Sequence, residues 1–247
     1  DYLGRRVEKQ VTQVSTGTVT SEERFLYDGW NLVAVYDASN SNTLVKTHTW
    51  GLDLSRTLQG AGGVGGLLGL AELNGAHTGT YHFTFDANGN VTEVMDASGG
   101  IAAHYEYSPF GNTIRSTGSY ADANVFRFST KYLDTETEFY YYGYRHYDPA
   151  TGRWLSKDPI EEDGGVNLYA FVLNRSFNDW DILGLDGGIY DTDFPDQGLV
   201  DRSGNVNRNF DPFNETQPDF SGPNIYDTNR DFIEQNPGIR TSSDMLS

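Results

Sequence analysis

Short runs of aromatic and β-branched residues alternate with polar residues along much of the chain, and Gly, Asn or Asp separates one run from the next. Val91 and Val94, for example, flank the polar pair Thr92 and Glu93. Such runs predict half-buried strands, and the NGN and SGG stretches beside them supply residues that tolerate the positive φ of hairpin turns. The pattern therefore predicts antiparallel β-hairpins, with little helix.

One theme recurs along the chain: an aromatic-rich strand, a Tyr-Asp or Phe-Asp pair, a turn with Gly or Asn, and a β-branched strand. Its copies begin at Asp1, Phe25, Tyr81 and Phe139. A single hairpin cannot bury its apolar face alone, so the copies are expected to lie side by side in an extended, curling sheet. We therefore predict an all-β fold of antiparallel hairpins in a spiralling sheet. The tyrosines are expected to be structural, with a carbohydrate-binding aromatic surface as the alternative.

The composition supports a packed core and limits the partners. Of the 247 residues, 37% are apolar and 14% aromatic, while the net charge is −18. This charge repels a phosphate backbone, so we predict no nucleic-acid partner. The chain also lacks an apolar run of about 18 residues, so no membrane insertion is predicted in this region. Cysteine is absent, which excludes disulfides and thiolate metal sites and leaves the compartment undetermined by redox chemistry.

The stretch QGAGGVGGLLGL contains the spacing G-x-G-x-x-G at Gly60, Gly62 and Gly65, which is typical of dinucleotide-binding loops. That site also needs a following helix and an acidic residue about 20 positions later. A glycine at position 75 interrupts the helix, and Asp86 belongs to the turn signal FDANGNV. We therefore predict a glycine-rich connection that passes close to its neighbours, with nucleotide binding as the disfavoured alternative.

Six segments carry a resemblance to a known family. They are YDGWNLVAVYD (27–37), WGLDLSRTLQGAGGVGGLL (50–68), YEYSPFGN (105–112), FRFSTKYLDTET (126–137), YYYGYRHYDPATGRWLSKDPIEEDGGVNLYAFV (140–172) and DILGL (181–185). Together they resemble the C-terminal part of Rhs/YD-repeat proteins, including the Rhs repeat-associated core domain. The resemblance implies a spiralling sheet that wraps into a hollow β-shell, with the core curling inward as a plug. In that family the shell commonly encloses a variable C-terminal toxin, which is released when the core cuts the chain after its final Gly-Leu.

The resemblance divides the chain into a repeat sheet (1–125), a core ending in DILGL (126–185) and a variable acidic tail (186–247). It implies part of a bacterial toxin-delivery or cell-surface shell, secreted or held at the surface. The partners expected are the upstream shell of the same protein and the tail or neighbouring subunits. The chain opens on DYLGRR, which looks like the inside of a repeat, so further protein is expected upstream.

The family's self-cleavage is of the aspartyl-protease type, and the matching residues are Asp158 in RWLSKDP and Asp181 in DILGL. The cut would fall between Leu185 and Asp186. Two carboxylates that share a site cannot both ionise cheaply, so one keeps a proton while the other acts as the base. Lys157 is adjacent to Asp158, but neighbours in an extended strand point to opposite faces. At most, this is a single-turnover protease acting on its own chain.

Other interpretations of these residues remain open. An Asp before Pro commonly caps a turn, and this applies to Asp148 and Asp158 alike. Asp163 and Asp179 are further acidic candidates. The family usually has Asn-Asn-Pro at 174–176 and Asp-Pro-x-Gly-Leu at 181–185, and losing both prolines would free backbone that must be held for the reaction.

No cofactor or metal is predicted. The five histidines lack the spacing of zinc ligands, and the stretch DRSGNVNRN (201–209) lacks the terminal glutamate of a calcium loop.

After Leu185 the composition changes. Residues 186–247 contain twelve acidic residues against four arginines, together with five prolines. Such a segment is not expected to fold alone, and its scattered aromatics, among them Phe210 and Phe220, suggest a strap docked on another surface. The alternative function is therefore a non-catalytic structural or adhesive extracellular module whose tail docks on the shell or on a neighbouring subunit.

Overall fold

The computed structural model describes residues 1–164, 166–177 and 179–185. The predicted tail, including Asp186, lies outside the described residues. The described chain forms two antiparallel sheets, one of nine strands and one of four. Its helical elements are three short 3₁₀ turns, and no helix in the described part is long and apolar enough to cross a membrane. The prediction of an all-β, antiparallel fold is confirmed.

The first sheet is a meander in which every strand pairs with the next one along the chain. Its strands are β1 (Glu8–Gln13), β2 (Thr18–Asp28), β3 (Asn31–Asp37), β4 (Thr43–Trp50), β5 (Leu67–Glu72), β6 (Gly79–Phe85), β7 (Val91–Asp96), β8 (Ile101–Tyr107) and β9 (Thr113–Thr117). Seven of its eight strand pairs contain a register shift. Because each irregularity bends a strand and increases its twist, the sheet curves along its length.

Aspartates at the strand ends close the hairpins of this sheet. Oδ1 of Asp86 accepts hydrogen bonds from the backbone N–H groups of Asn88 and Asn90, both at 2.9 Å. Asp37 and Asp96 bond in the same way to N–H groups two to four residues downstream. The Tyr-Asp and Phe-Asp pairs of the sequence therefore mark where a strand ends and its turn begins.

The second sheet consists of very short strands. They are β10 (Tyr132–Asp134), β11 (Phe139–Tyr141), β12 (His146–Asp148) and β13 (Arg153–Trp154), and 3₁₀ turns lie at Phe128–Thr130, Glu161–Gly164 and Val172–Asn174. Ladders of two or three residues provide few backbone hydrogen bonds. Aromatic packing holds the sheet instead: the rings of Tyr147 and Phe171 lie 4.2 Å apart, and Trp154 packs edge-on against Tyr147 at 5.5 Å. Tyr140, Tyr142 and Tyr147 of this cluster are buried, in agreement with a structural role.

The two sheets meet through a second group of aromatic rings around Arg6. Its guanidinium lies 4.7 Å from the ring of Tyr132 and 4.5 Å from that of Tyr141, and Nη1 binds the carboxylate of Asp134 at 2.7 Å. Phe25 of β2 packs edge-on against Tyr132 at 5.8 Å. The segment before β1 is therefore attached to β10 by both charge and ring contacts.

Candidate functional site

The glycine-rich stretch between β4 and β5 is organised by a buried aspartate. Oδ2 of Asp53 accepts hydrogen bonds from the N–H groups of Ala61 and Gly63, at 2.7 and 3.2 Å. The element that follows is β5, a strand, where a dinucleotide site requires a helix. N–H groups that would face a phosphate in such a loop therefore face a carboxylate of the same chain.

The same glycines allow a close approach to another part of the chain. Gly62 has φ +61°, and a Cβ built on it would lie 2.3 Å from the carbonyl oxygen of Ile182. Gly65 donates its N–H to Oγ1 of Thr130 at 2.8 Å. The predicted close approach is therefore present, and its target is the segment from Asp181 to Leu185, called here the DILGL segment. Residues 60–66 form the glycine block.

The N–H groups of the DILGL segment point at the side chain of its first residue. Oδ1 of Asp181 accepts hydrogen bonds from the N–H groups of Leu183, Gly184 and Leu185, at 3.0 Å for Leu183 and 3.3 Å for Leu185. Gly184 has φ +79°, a backbone conformation that glycine adopts without steric cost. The carboxylate thus folds the segment into a tight turn around itself.

The carbonyl groups of the segment are held by residues from outside it. Nζ of Lys131 donates to the carbonyl of Ile182 at 2.7 Å, and the N–H of Tyr144 donates to that of Leu183 at 3.1 Å. The carbonyl of Gly184 accepts from Nε of Arg145. The backbone from Ile182 to Leu185 is therefore fixed on both sides, although the prolines typical of the family are absent.

Arg145 brings the two predicted aspartates together. Its Nη2 lies 2.7 Å from Oδ2 of Asp158 and 3.7 Å from Oδ2 of Asp181. The guanidinium packs over the ring of Trp154 at 4.2 Å, and Nη1 donates to the carbonyl of Leu168 at 3.2 Å. All three charged residues are buried, with exposed fractions of 2% for Arg145, 6% for Asp158 and 0% for Asp181. A cation buried between two carboxylates stabilises negative charge at both positions.

Asp158 combines the turn cap with this ion pair. Its Oδ1 accepts the N–H of Ile160 at 3.1 Å, which is the cap expected of an Asp-Pro pair. Burial raises the pKa of Asp158, and the Ile160 hydrogen bond and the Arg145 charge act in the opposite direction. Asp158 also lines a groove of about 570 Å³, together with Glu161 and Leu168.

Asp148 and Asp179 are bound to partners other than Arg145. Asp148 caps its own turn through the N–H of Ala150 and the hydroxyl of Thr151. Asp179 is buried and pairs with Nε of Arg175 at 3.0 Å, while burial raises its pKa. Asp163 belongs to the 3₁₀ turn Glu161–Gly164, and its side chain is outside the described atoms. In the residues that the structure describes, no three His, Asp or Glu side chains group as metal ligands.

Two cations of the site, Arg145 and Lys131, were not identified from the sequence. Lys157, the neighbour of Asp158, was the cation considered, yet Arg145 is the one that contacts the carboxylate. Arg145 lies within the stretch YGYRHYDP, where an arginine stands among tyrosines. That unusual placement is the one local signal for a buried charge.

Comparison with known proteins gives one family match and several relatives. Residues 72–174 match the Teneurin YD-shell family. The chain is 31% identical over 180 residues to the tRNA3(Ser)-specific nuclease WapA of Bacillus spizizenii, covering 71% of this chain and 7% of that protein. It is 37% identical over 101 residues to the toxin subunit YenC1 of Yersinia entomophaga, covering 39% of this chain and 10% of that protein.

Among solved structures, the chain resembles TcdB2-TccC3 without its hypervariable C-terminal region. The TM-score is 0.55 at 25% identity, and the match covers 74% of this chain and 8% of that one. The chain therefore spans 7–10% of the length of these larger relatives.

Proposed function

This chain is an Rhs/YD-repeat protein that forms part of a β-shell, and on that premise we propose that its core cuts the chain once, between Leu185 and Asp186. The shell would belong to a bacterial toxin-delivery or cell-surface protein, secreted or held at the surface. Relatives named as toxins support this assignment, among them the YenC1 subunit and the double-stranded DNA deaminase toxin A of Burkholderia cenocepacia.

The observation that carries the proposal is the contact of Arg145 with three groups of the site. It binds Asp158, lies near Asp181 and donates to the carbonyl of Gly184, one residue before the bond to be cut. Residues separated by 13 and 36 positions in sequence thus meet at one guanidinium. The cap of the exposed-turn type, as at Asp148, involves only groups of its own turn, whereas buried charged groups gathered beside one peptide bond are typical of functional sites.

The two carboxylates divide the chemistry in this proposal. Burial raises the pKa of Asp158 against the opposing effects of Arg145 and the Ile160 N–H, and in this proposal Asp158 is the residue that holds a proton and acts as the acid. Oδ1 of Asp181 faces three N–H groups, which suits it to the ionised form and to the base. Asp181 would take a proton from water as the water oxygen bonds to the Leu185 carbonyl carbon. Asp158 would give its proton to the nitrogen of Asp186 as the C–N bond breaks.

The hydrogen-bonded backbone of residues 182–185 would position the peptide bond for the reaction. Self-cleavage is intramolecular, so the rate depends on how closely the peptide bond is held in the reactive geometry. The N–H groups of residues 183–185 and the carbonyls of residues 182–184 all have hydrogen-bond partners. These contacts restrain the segment in place of the missing prolines.

A non-catalytic shell module is the second candidate, and one observation favours it. Oδ1 of Asp181 is already occupied by its own backbone, and Oδ1 of Asp158 caps its own turn. Both carboxylates can therefore be explained by folding alone. In this alternative the chain stays intact and its tail docks on the shell or on a neighbouring subunit.

The intact mass of the purified full-length chain distinguishes the two candidates. Self-cleavage predicts two fragments, residues 1–185 and 186–247, and a new N-terminus at Asp186. A single uncut mass after prolonged incubation supports the structural module. Native size-exclusion of the same sample then tests tail docking, because a docked tail elutes with the shell after the cut and an undocked tail separates from it.

A further inference from the structure

Lys131 connects two parts of the chain that are distant in sequence. It lies between the 3₁₀ turn Phe128–Thr130 and β10, and its side chain is buried. Nζ donates to the carbonyl of Gly62 at 2.9 Å and to that of Ile182 at 2.7 Å. One ammonium group therefore holds the DILGL segment against the glycine block.

The backbone around this ammonium leaves no room for adjustment on the glycine side. A Cβ on Gly62 would lie 2.3 Å from the carbonyl oxygen of Ile182, the same oxygen that accepts from Lys131. Contacts below about 3.0 Å from a Cβ require one of the backbones to move. The glycine block thus sets a steric limit to the position of the DILGL segment, and the hydrogen bonds of Lys131 hold the segment in contact with it.

We propose that Lys131 is a positioning residue for the cut, which sets the distance of the Leu185 peptide bond from Asp158 and Asp181 by fixing Ile182 on the glycine block. This inference rests on the proposed self-cleavage. Lys131 does not touch the reacting atoms in this account. Its effect comes through the backbone three residues before the bond, where a displacement of about 1 Å lowers a rate by about 100-fold.

The charges around Lys131 give this role a pH signature. Burial lowers the pKa of Lys131 to about 8, while the carboxylates of Asp181 and Asp53 oppose this change. The ring of Tyr142 also lies 5.2 Å from Nζ, and Arg145 is the further cation near Asp181. Lys131 is therefore charged at pH 7, and its hydrogen bond to Ile182 weakens as the pH rises through about 8.

Two glycine variants distinguish the steric contact between Gly62 and Ile182 from the general cost of placing alanine at a positive φ. Gly62 and Gly17 have similar positive φ values, +61° and +68°, but a Cβ at Gly17 meets nothing within 4 Å. Both Gly→Ala variants carry the same left-handed strain. We expect Gly62→Ala to slow cleavage by about 10- to 100-fold and Gly17→Ala to leave it within about twofold. Equal cleavage rates in the two variants would contradict a positioning role for the close contact at Gly62.

The lysine itself is tested with Lys131→Met, Lys131→Arg and the control Lys46→Met, which removes an ammonium from β4. We expect Lys131→Met to cut about 10- to 100-fold more slowly, because both hydrogen bonds of the ammonium, to Gly62 and to Ile182, are lost, and Lys46→Met to match wild type. The ratio of wild-type to Lys131→Arg rates should fall above pH 8, because arginine keeps its charge there. This ratio cancels the pH dependence of Asp158, which the two proteins share.

Hydrogen exchange of residues 183–185 tests the same contact without any cut. In an Asp158→Asn background, adding Lys131→Met should increase exchange there by about tenfold, while the strands of the nine-stranded sheet keep their protection. An uncut wild-type chain contradicts the proposed function. If the wild type cuts and Lys131→Met cuts equally fast, Lys131 has no positioning role. The same conclusion follows if the hydrogen exchange of residues 183–185 is unchanged by Lys131→Met.

Discussion

In the nine-stranded sheet, Asp37 and Asp96 bond to N–H groups two to four residues downstream and are half-buried. In the core, Asp158 and Asp181 also bond to nearby N–H groups, but both are buried beside Arg145. The local geometry of an aspartate turn is thus similar in both regions. What separates them is the partner from a distant part of the chain, because burying a carboxylate requires a compensating charge.

The two regions also differ in how they are held together. The nine-stranded sheet has strands of up to 11 residues, which pair in long ladders around a cluster of buried apolar side chains. The four-stranded core has strands of two or three residues around a cluster of aromatic rings. A core of this kind fixes side chains through packing, which a site with buried charges needs.

The largest contrast is expected from removing an arginine in each region. Arg145→Met removes the buried cation that Asp158 and Asp181 share, so we expect a loss of about 3–5 kcal/mol in the free energy of unfolding, together with loss of the cut. Arg24→Met removes an ion pair with Glu8 in which both side chains are about half exposed, and should cost less than about 1 kcal/mol. Urea unfolding measures both changes. Equal losses would remove the distinction between the two regions.

A smaller effect is expected from pH in the nine-stranded sheet. Burial, assisted by the charge of Lys46, lowers the pKa of His48 to about 3 from an unfolded value of 6.5. His48 is therefore neutral in the folded state, and its contribution to stability is complete above pH 6.5 and is lost as the pH falls toward 3. Between pH 7.5 and 5 the loss is about 2 kcal/mol. His48→Leu should remove this part of the acid dependence in urea titrations, and an unchanged dependence would contradict the assignment.

The smallest effect is expected from a surface turn. Asp37→Ala removes hydrogen bonds within one exposed hairpin, so we expect a loss of about 1 kcal/mol or less and no change in the rate of cleavage. Thermal unfolding and intact mass provide the two measurements. A loss as large as that of Arg145→Met would mean that turn aspartates also carry long-range stability.

The fold was predictable because its signals are local. Alternation and turn residues lie within a few positions of each other, and the meander pairs each strand with its neighbour in sequence. Asp158 and Asp181 were identified through the family resemblance, since in sequence Asp158 is indistinguishable from the turn-capping Asp148. Arg145 and Lys131 were missed because their partners depend on tertiary packing. The glycine block was expected to pass close to a neighbour, but Ile182 as that neighbour required the structure.

The central claim is that two Asp-Pro pairs of the core differ in function because only one meets Arg145 in the described structure. The most direct test is the intact mass of Asp148→Asn and Asp158→Asn prepared and incubated in parallel. Both substitutions are isosteric, and urea unfolding of each protein checks that it is folded before the masses are compared. The account predicts fragments 1–185 and 186–247 from Asp148→Asn and one uncut chain from Asp158→Asn. Cleavage of Asp158→Asn at the wild-type rate would contradict it.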